Sequence, residues 1–144
     1  METQTMGRVV VKARIENLGD LLLVRAGHKK PEEVRTSEVE DALVDTGAAM
    51  LSLPKSLIKK LGLQKFTSRR MRTAKGTAMT SIYDAVRLTI QGRDCTIDVS
   101  HVAEGCPVLT GQVPLELLDF VVDPKRQRLI GNPEHGGKFM LDMF

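Results

Sequence analysis

Asp45 is the residue best placed to do chemistry in this sequence. It ends the apolar run Ala42-Leu43-Val44 and opens the tripeptide Asp45-Thr46-Gly47, which the small residues Ala48 and Ala49 follow. A carboxylate delivered by a buried strand into a loop of small residues is free to exchange a proton with a bound molecule. The same residues also make an ordinary turn in which an aspartate caps a chain reversal. Metal chemistry finds no comparable support. Cys95 and Cys106 form no Cys-x-x-Cys pair, and with His101 between them they make three ligands without a fourth. No metal and no cofactor is expected. In a reducing compartment both cysteines are expected as buried thiols. His28 and His135 sit among Gly and Lys in stretches that read as loops.

The elements that must position Asp45 are mostly strands. Arg8 to Ile15 is rich in β-branched residues and reads as one strand, broken by Asn17 and Gly19. Asp20 to Ala26 fits either a short helix or a second strand, and its apolar run does not decide. Glu38 to Asp45 returns to extended structure. Pro54 to Gly62 is the clearest helix: Pro54 suits its first turn, Gly62 its left-handed end, and Leu57, Ile58 and Leu61 share one face. Met71 to Thr80 reads as two short extended pieces around the turn Ala74-Lys75-Gly76-Thr77. Val86 to Ile90 and Cys95 to Val99 alternate on either side of a turn at Gln91 to Asp94. Val108-Leu109 is a short strand before Thr110-Gly111, Leu115 to Leu118 suggests a helical turn, and Phe120 to Pro124 with Arg128 to Ile130 form a hairpin. Lys138 to Phe144 alternates as a terminal strand. Residues 1–144 therefore read as a single, mainly β domain.

Leu43-Val44-Asp45-Thr46-Gly47-Ala48, the Gly76-bearing hairpin and Leu109-Thr110-Gly111, in this order, resemble the retropepsin-like (retroviral-type) aspartic proteases, from about Val9 to Ile130. The resemblance implies an all-β fold, the closed acid-protease β-barrel half with one or two short helices. It implies that Asp45 is the catalytic carboxylate, that Thr46 hydrogen-bonds across a dimer, and that Gly47 binds substrate backbone. Ala48 lines the site, and Ala74, Lys75, Gly76 and Thr77 form a flap that closes over the peptide. Leu109-Thr110-Gly111 braces the Asp45 loop and leads into a helix. Three positions depart from the viral pattern. Ala49 and Gln112 stand where an Asp–Arg ion pair is common, so both charges are absent together. Thr110 stands where an apolar residue is usual. With the longer segment Ile15 to Glu38, these point to a cellular, prokaryotic branch.

Peptide hydrolysis by carboxylates needs one group to activate water and another to protonate the amide. One Asp-Thr-Gly per chain then implies a homodimer whose two-fold axis runs between two Asp45 side chains. The expected function is aspartic endopeptidase, with a peptide or protein substrate; a non-catalytic dimeric peptide-binding or scaffolding module is the alternative. A nucleic-acid-binding β-barrel ranks below both. The net charge is only +3, and an aromatic content of 3% leaves no stacking platform, although Arg69-Arg70-Met71-Arg72 with Lys65 and Lys75 makes one basic cluster. Read simply, that cluster is a solvated strand face. Met1 to Thr5 lacks the start of a signal peptide, and no apolar run is long enough to span a bilayer, so a cytoplasmic protein without membrane partners is expected.

Overall fold

The computed structural model of the chain describes residues 8–143. Strand β1 (Val9–Asn17) turns Val9, Ala13 and Ile15 inward and runs antiparallel to β2 (Thr36–Val44), with a register shift between Val11 and Ala13. Between them lies helix α1 (Leu18–Arg25), so the undecided run at Asp20 is helical. Asn17 decides it, because its side chain caps the helix by accepting the Asp20 N–H at 2.9 Å. The Asn17 amide also donates to Leu61 O at 2.8 Å, tying α1 to the far side of the fold.

After β2 come β3 (Leu51–Pro54), α2 (Lys55–Lys60), β4 (Lys65–Thr73), β5 (Gly76–Ile90), β6 (Arg93–Val102), β7 (Leu109–Thr110), α3 (Gln112–Leu117), β8 (Phe120–Asp123) and β9 (Arg128–Gly131). The order in the main sheet is β1-β2-β7-β3-β6-β5-β4, and β5 also pairs with β1. Six strands thus close into a barrel, and β4 alone lies outside the ring. Closure removes the edges that an open sheet would expose. Two links in the ring are parallel, β2 with β7 and β3 with β6. The Ser52 and Ser100 hydroxyls meet at 2.6 Å within the second link.

The barrel is filled by aliphatic side chains. Ile82, Val86, Leu88 and Ile90 of β5 are buried at alternate positions, and Leu51, Leu53, Leu61, Val99, Leu115 and Leu118 complete the core with Phe120 at its margin. The expected α2 face packs as drawn, with Ile58 and Leu61 buried and Gly62 at φ +70°. The β5–β6 turn is the two residues Gln91-Gly92, tighter than the four expected, and both have positive φ, matching the twist of the flanking strands. Among the described residues three α-helices form, one more than expected, each eight residues or shorter.

Two expectations need correction. Residues 138–143 form no strand, and Phe144 lies outside the described residues. Side chains and a backbone carbonyl pin the segment instead. Arg93 lies over the rings of Phe120 and Phe139, at 4.7 and 5.3 Å, and donates to Gly137 O. Cys106 is exposed, not buried, because it falls in a tight turn closed by its N–H on Ala103 O. Cys95 is half-buried, and burial together with Asp94 pushes its thiol up to about 11.

Candidate active site

Asp45 leaves β2 at the seam between β2 and β7. Its N–H donates to Thr110 O at 3.0 Å, extending the parallel pairing of Leu43 with Leu109 and Val44 with Thr110 by one step. The chain then turns sharply, with Ala48 N–H on Asp45 O at 3.1 Å and Gly47 N–H on Asp45 Oδ1 at 3.0 Å. Among the described residues no other hydrogen bond reaches this carboxylate. Asp45 and Ala48 are half-buried, and Thr46, Gly47 and Ala49 are exposed. Asp45 is therefore anchored through its backbone, and its half-buried carboxylate carries one hydrogen bond, from the Gly47 N–H.

The returning segment closes the loop. Gly111 N–H donates to Met50 O at 3.0 Å, Gln112 N–H to Ala48 O at 2.8 Å, and Val113 N–H to Ala49 O at 3.0 Å. These bonds satisfy amides at the start of α3 that have no helical partner. They also bring backbone so close that a Cβ on Gly111 would stand 2.6 Å from Met50 O and 2.7 Å from Ala48 O. Only glycine fits there. Thr110 beside it is fully buried, and its hydroxyl has no hydrogen-bond partner among the described residues.

Ala74, Lys75, Gly76 and Thr77 sit at the tip of a ribbon made by β4 and the first half of β5. The ribbon is longer than expected, pairing Lys65 with Tyr83 at its root and Thr73 with Gly76 at its end. Thr73 Oγ1 accepts the Lys75 N–H and donates to Gly76 O, which shapes the tip. Gly76 has φ +122°, and nothing lies within 4 Å of a Cβ placed on it. The structure thus gathers Asp45, Thr46, Gly47 and Ala48 into one loop. Among the described residues no hydrogen bond or ion pair joins that loop to Ala74, Lys75, Gly76 or Thr77.

The model of the aspartyl protease family matches residues 33–131, a stretch that holds the Asp45 loop, the ribbon and the Gly111 brace. The chain belongs to the aspartyl protease family. Among solved structures, the chain is similar to the solution structure of Simian Foamy Virus (mac) protease, at 15% identity and a TM-score of 0.47, over 76% of this chain and 93% of the viral one. No curated protein matches it. No group of three or more His, Cys, Asp or Glu side chains among the described residues is placed to hold a metal ion. No helix among them is long and apolar enough to cross a membrane.

One polar cluster escaped the sequence reading. Asp119, at φ +59° after α3, accepts the His135 Nδ1 hydrogen at 2.7 Å, the Asn132 amide at 3.2 Å and the Met140 N–H at 3.2 Å. His135 Nε2 reaches Asp142 at 3.1 Å. Burial pulls the Asp119 carboxyl upward, but its three donors outweigh that and hold it below the usual range. Asp119, then Asp142, pushes His135 up. No spacing motif links residues 119, 135 and 142, so only the folded chain brings them together.

Proposed function

We propose that the chain is an aspartic endopeptidase that works as a homodimer, each copy contributing one Asp45. The observation that carries the reading is a single Asp-Thr-Gly whose aspartate is anchored through its backbone and left open at its carboxylate. Two such carboxylates across a two-fold axis supply a base for the attacking water and an acid for the departing amide nitrogen. No covalent intermediate is required. Thr46 and Gly47, both exposed in the single chain, then lie where the partner's loop and the substrate backbone meet them. Ala48 lines the floor, and Ala74, Lys75, Gly76 and Thr77 close over the bound peptide from the ribbon tip.

The test is digestion of a diverse peptide pool by wild type and by Asp45→Asn, with fragments read by mass spectrometry, beside sedimentation of both proteins. Fragments from wild type alone, together with a dimer, support the reading. Equal cleavage by Asp45→Asn removes Asp45 from the chemistry, and an active monomer removes the dimer.

A further inference from the structure

The ribbon carries charge unlike the rest of the molecule. Between Lys65 and Tyr83 stand Lys65, Arg69, Arg70, Arg72 and Lys75, with no acidic residue among them. Of 21 basic and 18 acidic residues in the chain, this leaves 16 basic against 18 acidic elsewhere. On the barrel body several cations find partners: Lys29 and Arg35 on Asp20, Arg87 on Glu16, and Arg14 on Glu16 and Glu38. None of the five ribbon side chains has a hydrogen-bond or ion-pair partner among the described residues, and every residue of β4 is exposed.

Both faces of the ribbon are basic. Residues opposite each other share a face, so Arg69 with Thr80 and Met71 with Ala78 continue the face of buried Ile82. Arg70 with Met79 and Arg72 with Thr77 lie on the other face. A chain lying against either face meets a guanidinium, the donor fork that matches a carboxylate. Five like charges on one hairpin also repel one another, and an acidic segment relieves that repulsion. The backbone adds a second kind of recognition. β4 pairs only with β5, so its outer edge offers the N–H and C=O groups of alternate residues to an extended peptide. Nucleic acid fits less well, because Phe66 is the one aromatic side chain on β4 available for base stacking.

We propose that the ribbon binds acidic polypeptide segments, pairing their carboxylates with Arg69, Arg70 and Arg72, and so selects acidic substrates for the site it covers. The proposal rests on the protease reading and adds the substrate class to it.

The experiment uses three peptide series with one cleavable core, flanked by Asp and Glu, by Ser and Gln, or by Lys. At low salt kcat/KM for the acidic series should exceed that of the neutral series by about tenfold, a few exposed ion pairs' worth. The ratio should approach one near 1 M salt, where the screening length is about 3 Å. Arg69→Gln/Arg70→Gln/Arg72→Gln should collapse the low-salt ratio with an unchanged thermal melt. Should that variant fail to fold, the wild-type salt series and the single change Arg72→Gln decide. Equal rates for acidic and neutral peptides at low salt overturn the selection and leave the protease reading standing. If no series is cut, the protease reading fails, and fluorescence anisotropy with the Asp45→Asn chain decides the binding claim. Tighter binding of an acidic peptide than of its Lys-for-acid counterpart supports it; equal binding overturns it. An oligonucleotide of equal charge binding more tightly than the acidic peptide also overturns it.

Discussion

Gly111→Ala is the change that tests most directly how the Asp45 loop is held. The added methyl carbon would stand 2.6 Å from the Ala49 carbonyl carbon, 2.6 Å from Met50 O and 2.7 Å from Ala48 O. All three are backbone atoms, so no side chain can rotate away. Ordinary contact needs close to 3.5 Å, and the loop must retreat by roughly 0.8 Å. Overpacking of this kind costs about 1–3 kcal/mol. The retreat also stretches the bonds from Gly111, Gln112 and Val113 to Met50, Ala48 and Ala49, each with a net contribution of about 0.5–1.5 kcal/mol. Strain plus one lost bond gives about 2–4 kcal/mol. For a chain of this size that corresponds to a Tm lower by roughly 6–16 °C. Urea unfolding should show a lower midpoint at constant slope, read at one protein concentration because dimerisation would contribute to stability. Peptide cleavage should fall further than the folded fraction, because the displaced backbone includes the loop that carries Asp45. A variant within about 0.5 kcal/mol of wild type would refute the crowding argument.

Three further outcomes follow from buried polar groups. Thr110→Val removes a hydroxyl that has no partner while leaving the Thr110 carbonyl that holds Asp45, so the protein should gain about 1 kcal/mol in urea unfolding. Asp20→Asn leaves Arg35 and Lys29 without their carboxylate and should cost about 2–3 kcal/mol. In wild type, Arg35 beside Asp20 holds its carboxyl far below the ordinary 3.8, against the opposing pull of burial. That contribution is therefore complete above pH 3.8 and lost only as pH falls toward the depressed value, so Asp20→Asn should be less stable than wild type at pH 5 and converge on it in strong acid. His135, raised from 6.5, stabilises its contacts fully below pH 6.5 and loses that contribution as pH rises through the raised value. Amide exchange at Met140 should accelerate over that range in wild type, and His135→Gln should show no such step.

The barrel was legible where burial has a period. Alternation over Val86 to Ile90, and the apolar face of Ile58 and Leu61 with half-buried Leu57 beside them, correspond to side chains that the fold packs inward. The loop at Asp45 was legible because small residues follow an apolar strand there, and the chain does turn sharply at that point. What the sequence left open was decided by single contacts. Asn17 made Leu18 to Arg25 a helix by capping it, and no periodicity in that run would have said so. Lys138 to Phe144 alternates like a strand, yet the described segment is held by Arg93, Asp119 and His135 and pairs with no strand. The ribbon was underestimated because Lys65 to Thr73 has no buried face to impose a pattern. Asp119 and His135 were invisible because their meeting depends on the hairpin of β8 and β9 folding back under α3.

Under the proposed function, the loop and the ribbon would divide the work that hydrolysis of a long chain demands. A reacting carboxylate must be held to within a fraction of an ångström. The loop meets that demand through its backbone: bonds with Thr110, Gly111, Gln112 and Val113 hold residues 45 to 50 against a ring of strands that has no free edge. A cover must instead open at little cost, and local opening costs least where few apolar contacts are lost. Along Lys65 to Thr73 every residue is exposed, and β5 is the strand's sole ladder partner. The charges follow the same division. Ion pairs on Asp20 and Glu16 lock the body, where a lone buried charge would be costly. The ribbon's cations stay solvated and unpaired, which leaves them available to a ligand. A ribbon substitution should therefore change substrate preference before it changes stability, whereas a substitution at Gly111 cannot alter one without the other.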